Sequence, residues 1–135
     1  MKKTSLIILI NLSFFAGSAV MANEIDSRQQ AYKALGASDF SADRGDTLWH
    51  KNFPDPKDSS KQRNCGTCHT DNLKNKGKHA RTGKVIDPLS PSTNAERFTD
   101  PKFIEKWFKR NCKWVVGREC TPQEKGDVLE YLRDK

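Results

Sequence analysis

One pentapeptide, Cys65-Gly66-Thr67-Cys68-His69, constrains this chain more than any other stretch of its sequence. Two thiols three residues apart lie on one tight helical turn, where each can add to a vinyl group of the same porphyrin. The imidazole that follows the second thiol then lies beneath the iron as its proximal ligand. The pattern therefore predicts one covalently attached haem c, held by Cys65, Cys68 and His69.

Two other kinds of site use the same cysteine spacing. A redox dithiol needs no adjacent His and usually follows a strand, which this sequence does not indicate. A zinc site would have to recruit Cys112 and Cys120, which lie too far apart in the sequence for the usual spacing of zinc ligands. Both alternatives fit the sequence less well than haem attachment does.

The first 22 residues have the form of an export signal. Lys2 and Lys3 precede an apolar run from Leu6 to Phe15, and Val20-Met21-Ala22 has the small-residue pattern of a cleavage site. The run is short for a membrane-spanning helix, although an uncleaved anchor is an alternative. We expect residues 1–22 to be a signal peptide and residues 23–135 to be one cytochrome c domain. Export places that domain in an oxidising compartment, most simply a bacterial periplasm.

The composition narrows the choice of partners. The chain carries a formal net charge of +7, and only 35% of its residues are hydrophobic. A basic exported domain suits an acidic redox partner. Nucleic acid is a poor alternative, because the compartment is wrong and the sequence contains no motif that reads nucleic acids. A buried porphyrin also supplies an apolar centre that so small a chain does not build alone.

Helices joined by loops are predicted for the exported part. A first helix is predicted to end near Gly36, with four residues at helical spacing: Ile25, Gln29, Tyr32 and Leu35. Ser41 is placed to cap a second helix that runs toward Asn52. Gly45 and Trp49 lie four apart on one face of that helix, and the Gly permits close approach of another helix.

Three loops are predicted between the second helix and residue 97. Phe53 to Asn64 is polar and contains two prolines. Thr70 to Lys84 is the densest basic stretch, for which a solvated loop is a simpler interpretation than a docking patch. Pro88 to Arg97 is predicted to wrap one edge of the haem, with a carbonyl such as that of Pro88 accepting a hydrogen bond from His69.

Two further helices carry clear starting signals. Asp100-Pro101 is a capping side chain followed by Pro at the first helical position, and Thr121 to Glu124 is a capping box. The apolar stripe of the first of these helices is predicted to comprise Ile104, Trp107 and Phe108, with Asn111 on the same side one turn later. The buried face of the last helix is predicted to comprise Val128, Leu129, Tyr131 and Leu132.

The second cysteine pair brackets a short loop between those two helices. Since Cys65 and Cys68 are assigned to haem, Cys112 and Cys120 most simply form a disulfide in an oxidising compartment. Two buried free thiols are the alternative. The disulfide would close a loop that begins directly after Asn111.

The ligand on the second side of the iron is not Met. The sequence contains only Met1 and Met21, and both lie in the predicted leader. The candidates are His50, His79, a Lys, an amide such as that of Asn111, or an open site. Both histidines lie in polar segments, and Asn is common at helix ends for other reasons. The residues alone leave this choice open.

The chain resembles the family of small class I c-type cytochromes typified by the sphaeroides haem protein. The matching stretches are Cys65 to Thr70, Gly77 to Gly83, Pro88 to Phe98, Glu105 to Cys112, Gly117 to Lys125 and Leu129 to Leu132. Trp49 and the pair Leu129 and Tyr131 also resemble the helix crossing of class I cytochromes c. The resemblance implies an all-α fold, with short helices wrapped around one haem.

The resemblance also implies a ligand set and partners. The distal ligand of the family is a labile Asn just before a disulfide-bonded Cys, which corresponds to Asn111 and to the pair Cys112 and Cys120. When the amide leaves on reduction, the iron binds small ligands such as O2, NO and CO. A dihaem cytochrome c and a membrane cytochrome b are implied as redox partners.

These expectations favour a periplasmic monohaem cytochrome that transfers electrons and binds small ligands, rather than a dedicated enzyme. A haem enzyme that turns over O2, NO, peroxide or nitrogen oxides is one alternative, and it would need a distal acid–base group. The other is a plain electron carrier in which His50 or His79 is a permanent sixth ligand.

Overall fold

The computed structural model describes residues 23–135, so the predicted leader lies outside the described part. Five helices and four short strands make up this part. The helices are α1 (Ile25–Ala34), α2 (Ala42–His50), α3 (Gly66–His69), α4 (Pro101–Val115) and α5 (Pro122–Leu132). The strands are β1 (Phe53–Asp55), β2 (Asp58–Arg63), β3 (Gly77–Lys78) and β4 (Val85–Ile86).

The helices begin where the local signals place them. The Ser41 side chain accepts a hydrogen bond from Arg44 N at the start of α2, and Asp100 accepts from two backbone amides at the start of α4. Thr121 and Glu124 form the predicted reciprocal capping box of α5. These contacts satisfy amide groups that a helix start otherwise leaves without partners. The predicted caps of α2, α4 and α5 are therefore confirmed.

The crossing of α2 and α5 is the centre of the fold. A Cβ atom built on Gly45 would overlap the Asp127 carbonyl group, so only Gly allows the two backbones to lie this close. Trp49 is buried one turn later, and its ring centroid lies 5.9 Å from that of Tyr131. Asp127 is 4% exposed and accepts hydrogen bonds from Arg44 Nε and Nη2 at 2.9 and 2.8 Å. The predicted close approach at Gly45 is confirmed.

Helix α1 closes a second core beside this crossing. Ile25, Tyr32, Ile104 and Leu129 are buried together there. The buried face of α5 comprises the residues that the sequence predicts, with Gly126 and Asp127 in addition. None of the helices in residues 23–135 is long and apolar enough to cross a membrane.

Two antiparallel ribbons modify the all-α prediction. The described chain is mostly helical, but β1 pairs with β2 and β3 pairs with β4. The prediction of a loop from Phe53 to Asn64 was wrong, because most of that stretch forms the β1–β2 ribbon. Pro54 is tolerated because a two-stranded ribbon has only edge strands, and Asp55 closes the turn by accepting from Lys57 N at 2.8 Å.

The predicted apolar stripe of α4 differs from the observed one at Trp107. Ile104 is buried and Phe108 is partly buried, as predicted, but Trp107 is 37% exposed. Cys112 and Val115 complete the buried stripe of the helix instead. Trp107 stacks edge-on against Phe103 with 5.8 Å between ring centroids, so the two aromatics lie together on an adjoining flank.

Candidate haem-binding site

The single turn α3 carries Cys68 and His69, and Cys65 is its N-cap residue. Its N-terminal end is tied to α2, since Cys65 N donates to the Trp49 carbonyl oxygen at 3.2 Å. The Trp49 and His69 rings lie 5.6 Å apart, centroid to centroid. On its other side, Gly77 of β3 lies against the Cys68 carbonyl so closely that a Cβ atom there would overlap it. The turn is therefore held between α2 and the β3–β4 ribbon.

Burial keeps the His69 ring neutral. Loss of hydration and the nearby positive charge of Arg97 together lower the pKa of His69 to about 4. Neutral imidazole is the form that offers a nitrogen lone pair to a metal. Burial likewise raises the pKa of the Cys65 thiol to about 12, with a smaller contribution from Cys68. The imidazole thus has the uncharged state that binding to a metal requires.

The backbone bends sharply directly after His69. Thr70 has a φ of 65°, a value that β-branched residues rarely adopt. Its amide still donates to the Gly66 carbonyl oxygen at 2.9 Å, which ends the turn. Phe98, which follows Arg97, has a φ of 60° as well. Such conformations persist only where the surrounding structure enforces them, and they concentrate at functional sites.

Arg97 organises the loop that the sequence predicts beside the haem. Its Nε donates to the Pro88 carbonyl oxygen at 2.8 Å, and its Nη2 donates to the Asp87 carbonyl oxygen at 2.7 Å. Asn94 Nδ2 lies 3.4 Å from the same Pro88 oxygen. The carbonyl that we expected to orient His69 therefore accepts from Arg97 and Asn94 within its own loop.

The disulfide that the sequence predicts begins in the last turn of α4. Cys112 and Cys120 are bonded, and they join the end of α4 to the segment before α5. Because each is occupied by the other, neither is free to complete a zinc site with Cys65 and Cys68. Asn111 immediately precedes the buried Cys112 and lies on the exposed flank of α4. Three residues earlier, Phe108 packs against the same core cluster as Cys65.

The two remaining histidines are engaged locally, His50 at an exposed position and His79 at a partly buried one. His50 Nδ1 lies 3.0 Å from the Asp46 carbonyl oxygen and 3.1 Å from the Asp46 carboxylate. His79 Nδ1 accepts from Thr82 N at 3.1 Å within the β3–β4 turn. Each ring nitrogen therefore helps to hold a surface turn in its present conformation.

The residues around α3 fit a porphyrin. Five partly buried apolar side chains border the core cluster of Trp49, Leu73 and Tyr131: Leu48, Cys65, Leu89, Phe98 and Phe108. Among residues 23–135, Trp49 Nε1 is buried without a hydrogen-bond partner. A haem with a polar rim would complement four features of this site: the apolar border, the neutral imidazole, the two thiols on one turn and the unsatisfied indole N–H.

Comparison with known proteins identifies the family. The chain is 38% identical over 125 residues to the cytochrome c-type protein SHP of Cereibacter sphaeroides, across 92% of this chain and 95% of that protein. The chain belongs to the sphaeroides haem protein family. Residues 35–132 of this family member also match the model described as "Domain of unknown function (DUF1924)".

Solved structures show the same cytochrome fold. The structure of oxidized SHP, described as an oxygen binding cytochrome c, matches with a TM-score of 0.70 and 38% identity over 80% of this chain and 94% of that one. Oxidized cytochrome c'' from Methylophilus methylotrophus matches with a TM-score of 0.69 and 32% identity over 81% and 92%. As a member of the sphaeroides haem protein family, this chain carries haem c.

Two arginines near the site were not singled out by the sequence. Arg97 is engaged entirely with backbone carbonyls of its own loop, and Arg63 reaches across to α4. A polar side chain that binds a carbonyl leaves no periodic or spacing signal. The only available signal was the position of Arg97 inside a stretch that resembles the family.

Proposed function

We propose that this protein is an exported monohaem cytochrome that transfers electrons and binds small ligands such as O2, NO and CO. Cys65 and Cys68 attach the haem, His69 is its proximal ligand, and Asn111 is a labile distal ligand. When bound, haem c would supply a one-electron redox centre whose iron can take a further ligand besides His69. The proposed division is a signal peptide in residues 1–22 and a cytochrome domain in residues 23–135.

On the proximal side, the chain fixes geometry and protonation. The α2–α5 crossing and Gly77 hold α3 from two sides, so the backbone that carries His69 is fixed in place. Its ring is neutral at physiological pH because burial lowers its pKa. Arg97, held by the carbonyl oxygen of Pro88, places a fixed positive charge near His69. A cation near a redox centre favours the state of lower net positive charge, which is the reduced state.

The observation that carries the distal assignment is the position of Asn111. It lies one residue before a disulfide-bonded cysteine, on the flank of α4 beside Phe108. Phe108 packs on the core cluster that includes Trp49 and contacts Cys65. A neutral amide oxygen is a hard and weak ligand, better suited to ferric than to ferrous iron. Reduction is therefore expected to release the Asn111 side chain.

The surface suits an acidic electron-transfer partner. The basic composition of the chain favours association with an acidic protein at low ionic strength. By resemblance to the family, a dihaem cytochrome c and a membrane cytochrome b are the candidates we propose. The alternative of a permanent bis-His carrier is less favoured, because the Nδ1 atoms of His50 and His79 are engaged in local turns.

The test compares Asn111→Ala with matched variants. We expect Asn111→Ala to open the ferric site, so that cyanide or azide binds faster and the ferric spectrum changes. Asn75→Ala changes another exposed Asn and should leave the anion-binding rate and the ferric spectrum unchanged. CO should shift the spectrum of the reduced wild type at once, whereas a permanent strong ligand would prevent that shift. An unchanged ferric spectrum in Asn111→Ala would refute the assignment and turn attention to His50→Ala and His79→Ala.

A further inference from the structure

Arg63 makes a buried connection between the haem segment and α4. It is 8% exposed at the end of β2, two residues before Cys65. Its Nε donates to Asp55 Oδ2 at 2.7 Å, and Nη2 pairs with the second oxygen of that carboxylate. Its Nη1 donates to the Trp114 carbonyl oxygen at 2.7 Å. The guanidinium also lies over the Trp114 ring, 4.4 Å from its centroid.

The acceptor on α4 is a carbonyl that the helix itself cannot satisfy. Trp114 lies in the last turn of α4, where carbonyl groups have no amide four residues further along the helix. Val116 N and Gly117 N satisfy the Cys112 carbonyl, and Arg63 satisfies that of Trp114. A cation at this end of a helix also complements its dipole. Arg63 therefore acts as a C-terminal cap supplied from a distant part of the chain.

This cap connects the segment of the haem motif to the part of α4 that carries Asn111. Cys65, at the start of the haem turn, is two residues after Arg63, and Asn111 is three residues before Trp114. The disulfide from Cys112 to Cys120 spans only eight positions, so it shapes the turn without tying α4 to the haem segment. The Arg63 hydrogen bond spans 51 positions and does tie them together.

We propose that Arg63 is a positioning residue that holds the last turn of α4 at the distance from which Asn111 reaches the iron. The inference rests on the proposed role of Asn111 as distal ligand. Asp55 orients the guanidinium by engaging two of its nitrogens, which leaves Nη1 directed at α4. If Asn111 were displaced from a bound haem, this cap would keep the turn in place, so the amide would stay within reach of the iron.

The test measures ferric cyanide binding and the ferric spin state of the intact holoprotein. We expect Arg63→Leu to raise the cyanide association rate about tenfold, the factor expected from losing one hydrogen bond to a helix-end carbonyl. Arg63→Lys keeps the charge but cannot engage both Asp55 and Trp114, so its effect should be intermediate. Asp55→Asn should act in the same direction and more weakly. If Arg63→Leu does not fold, the last two variants carry the test.

The control separates positioning from general loss of stability. Arg44→Leu removes another interhelical arginine contact, at the α2–α5 crossing, and should leave cyanide binding unchanged well below its unfolding temperature. In an Asn111→Ala background, Arg63→Leu should add no further acceleration, because both changes act through the same ligand.

Two outcomes distinguish the proposals. If Asn111→Ala opens the ferric site while all three variants at Arg63 and Asp55 bind cyanide at the wild-type rate, the Arg63 inference is overturned and the distal assignment stands. An equal acceleration by Arg63→Leu with and without Asn111 would also overturn it, since Arg63 would then act on access to the site. An unchanged spectrum in Asn111→Ala overturns the distal assignment and, with it, this inference.

Discussion

The α2–α5 crossing, beside the motif turn, and the last turn of α4, beside Asn111, are held in place in different ways. At the crossing, backbone meets backbone at Gly45, and a buried carboxylate binds an arginine of the other helix. At the end of α4, next to Asn111, the disulfide and the Arg63 cap hold the turn. The first region is a packed core, and the second is a tethered turn.

This difference suits two ligands with different tasks. A proximal ligand that stays bound in both oxidation states needs a fixed position, which close packing provides. A distal ligand that leaves and returns needs a turn that can move by a small distance without loss of the core. The comparison therefore predicts that stability depends mainly on the crossing and that ligand exchange depends mainly on the α4 turn.

The largest expected effect is on the crossing itself. Gly45→Val should destabilise the holoprotein by about 4 kcal/mol or prevent folding, because the new side chain would overlap the Asp127 backbone, which cannot rotate away. Denaturant unfolding followed by circular dichroism measures this. Thr47→Ala changes an exposed position in the same helix and should shift stability by no more than about 0.5 kcal/mol. Equal unfolding midpoints for the two variants would show that the crossing is not closely packed.

The next effect concerns the buried carboxylate at the crossing. Asp127→Asn keeps the side-chain volume but removes the charge that binds Arg44 and accepts from Ser41 N. We expect a loss of about 2–3 kcal/mol in unfolding free energy with no change in ferric cyanide binding. Asp134→Asn, at an exposed position of the last segment, is the matched control. A change in cyanide binding without a change in stability would contradict the proposed division of tasks.

Local signals in the sequence account for most of the crossing. Ser41, the capping box at Thr121 and the four-residue spacing of Gly45 and Trp49 all act within one or two helical turns, where sequence patterns are informative. The haem turn is equally local. These features were predicted correctly because each depends on neighbours in the chain.

The α4 end could be predicted only in part. The disulfide followed from compartment and elimination, but the Arg63 cap joins residues about fifty positions apart and has no sequence pattern. The β1–β2 ribbon was missed because its prolines and polar residues indicate a loop, whereas Asp55 and Arg63 pair across it. Trp107 was assigned to the buried stripe because helical phase alone does not show how wide the covered face is.

A third prediction tests the tether at the α4 end. Replacing Cys112 and Cys120 with Ser should lower the unfolding free energy by about 2 kcal/mol, since the disulfide closes only a short loop. The ferric cyanide rate should rise as well, because the turn that carries Asn111 loses a constraint. Wild type treated with a reductant that leaves the haem intact is the matched comparison. Two alkylatable thiols in untreated wild type would show that the bond is absent from the isolated protein.

The smallest expected effect lies on the other flank of α4, where Glu105 joins three helices. Burial raises the pKa of Glu105, but hydrogen bonds from Lys125 Nζ, at 2.8 Å, and from the Tyr32 hydroxyl lower it more. The folded-state pKa therefore lies below 4.5, the ordinary value. A carboxylate with a lowered pKa stabilises the fold above that value, and the contribution is lost as the pH falls through the lowered pKa.

Glu105→Gln should therefore cost about 1 kcal/mol or less at neutral pH, given the partial exposure of the pair. The difference from wild type should shrink as the pH falls below 4.5 and through the lowered pKa of Glu105, because the wild-type carboxylate then becomes protonated as well. Thermal unfolding at several pH values measures it, with Glu96→Gln, at an exposed loop position, as control. Ferric cyanide binding should not change, since Glu105 lies about two turns before Asn111 and packs toward α1 and α5. A variant that bound cyanide faster would show that the distal turn depends on the whole of α4 rather than on its tethered end.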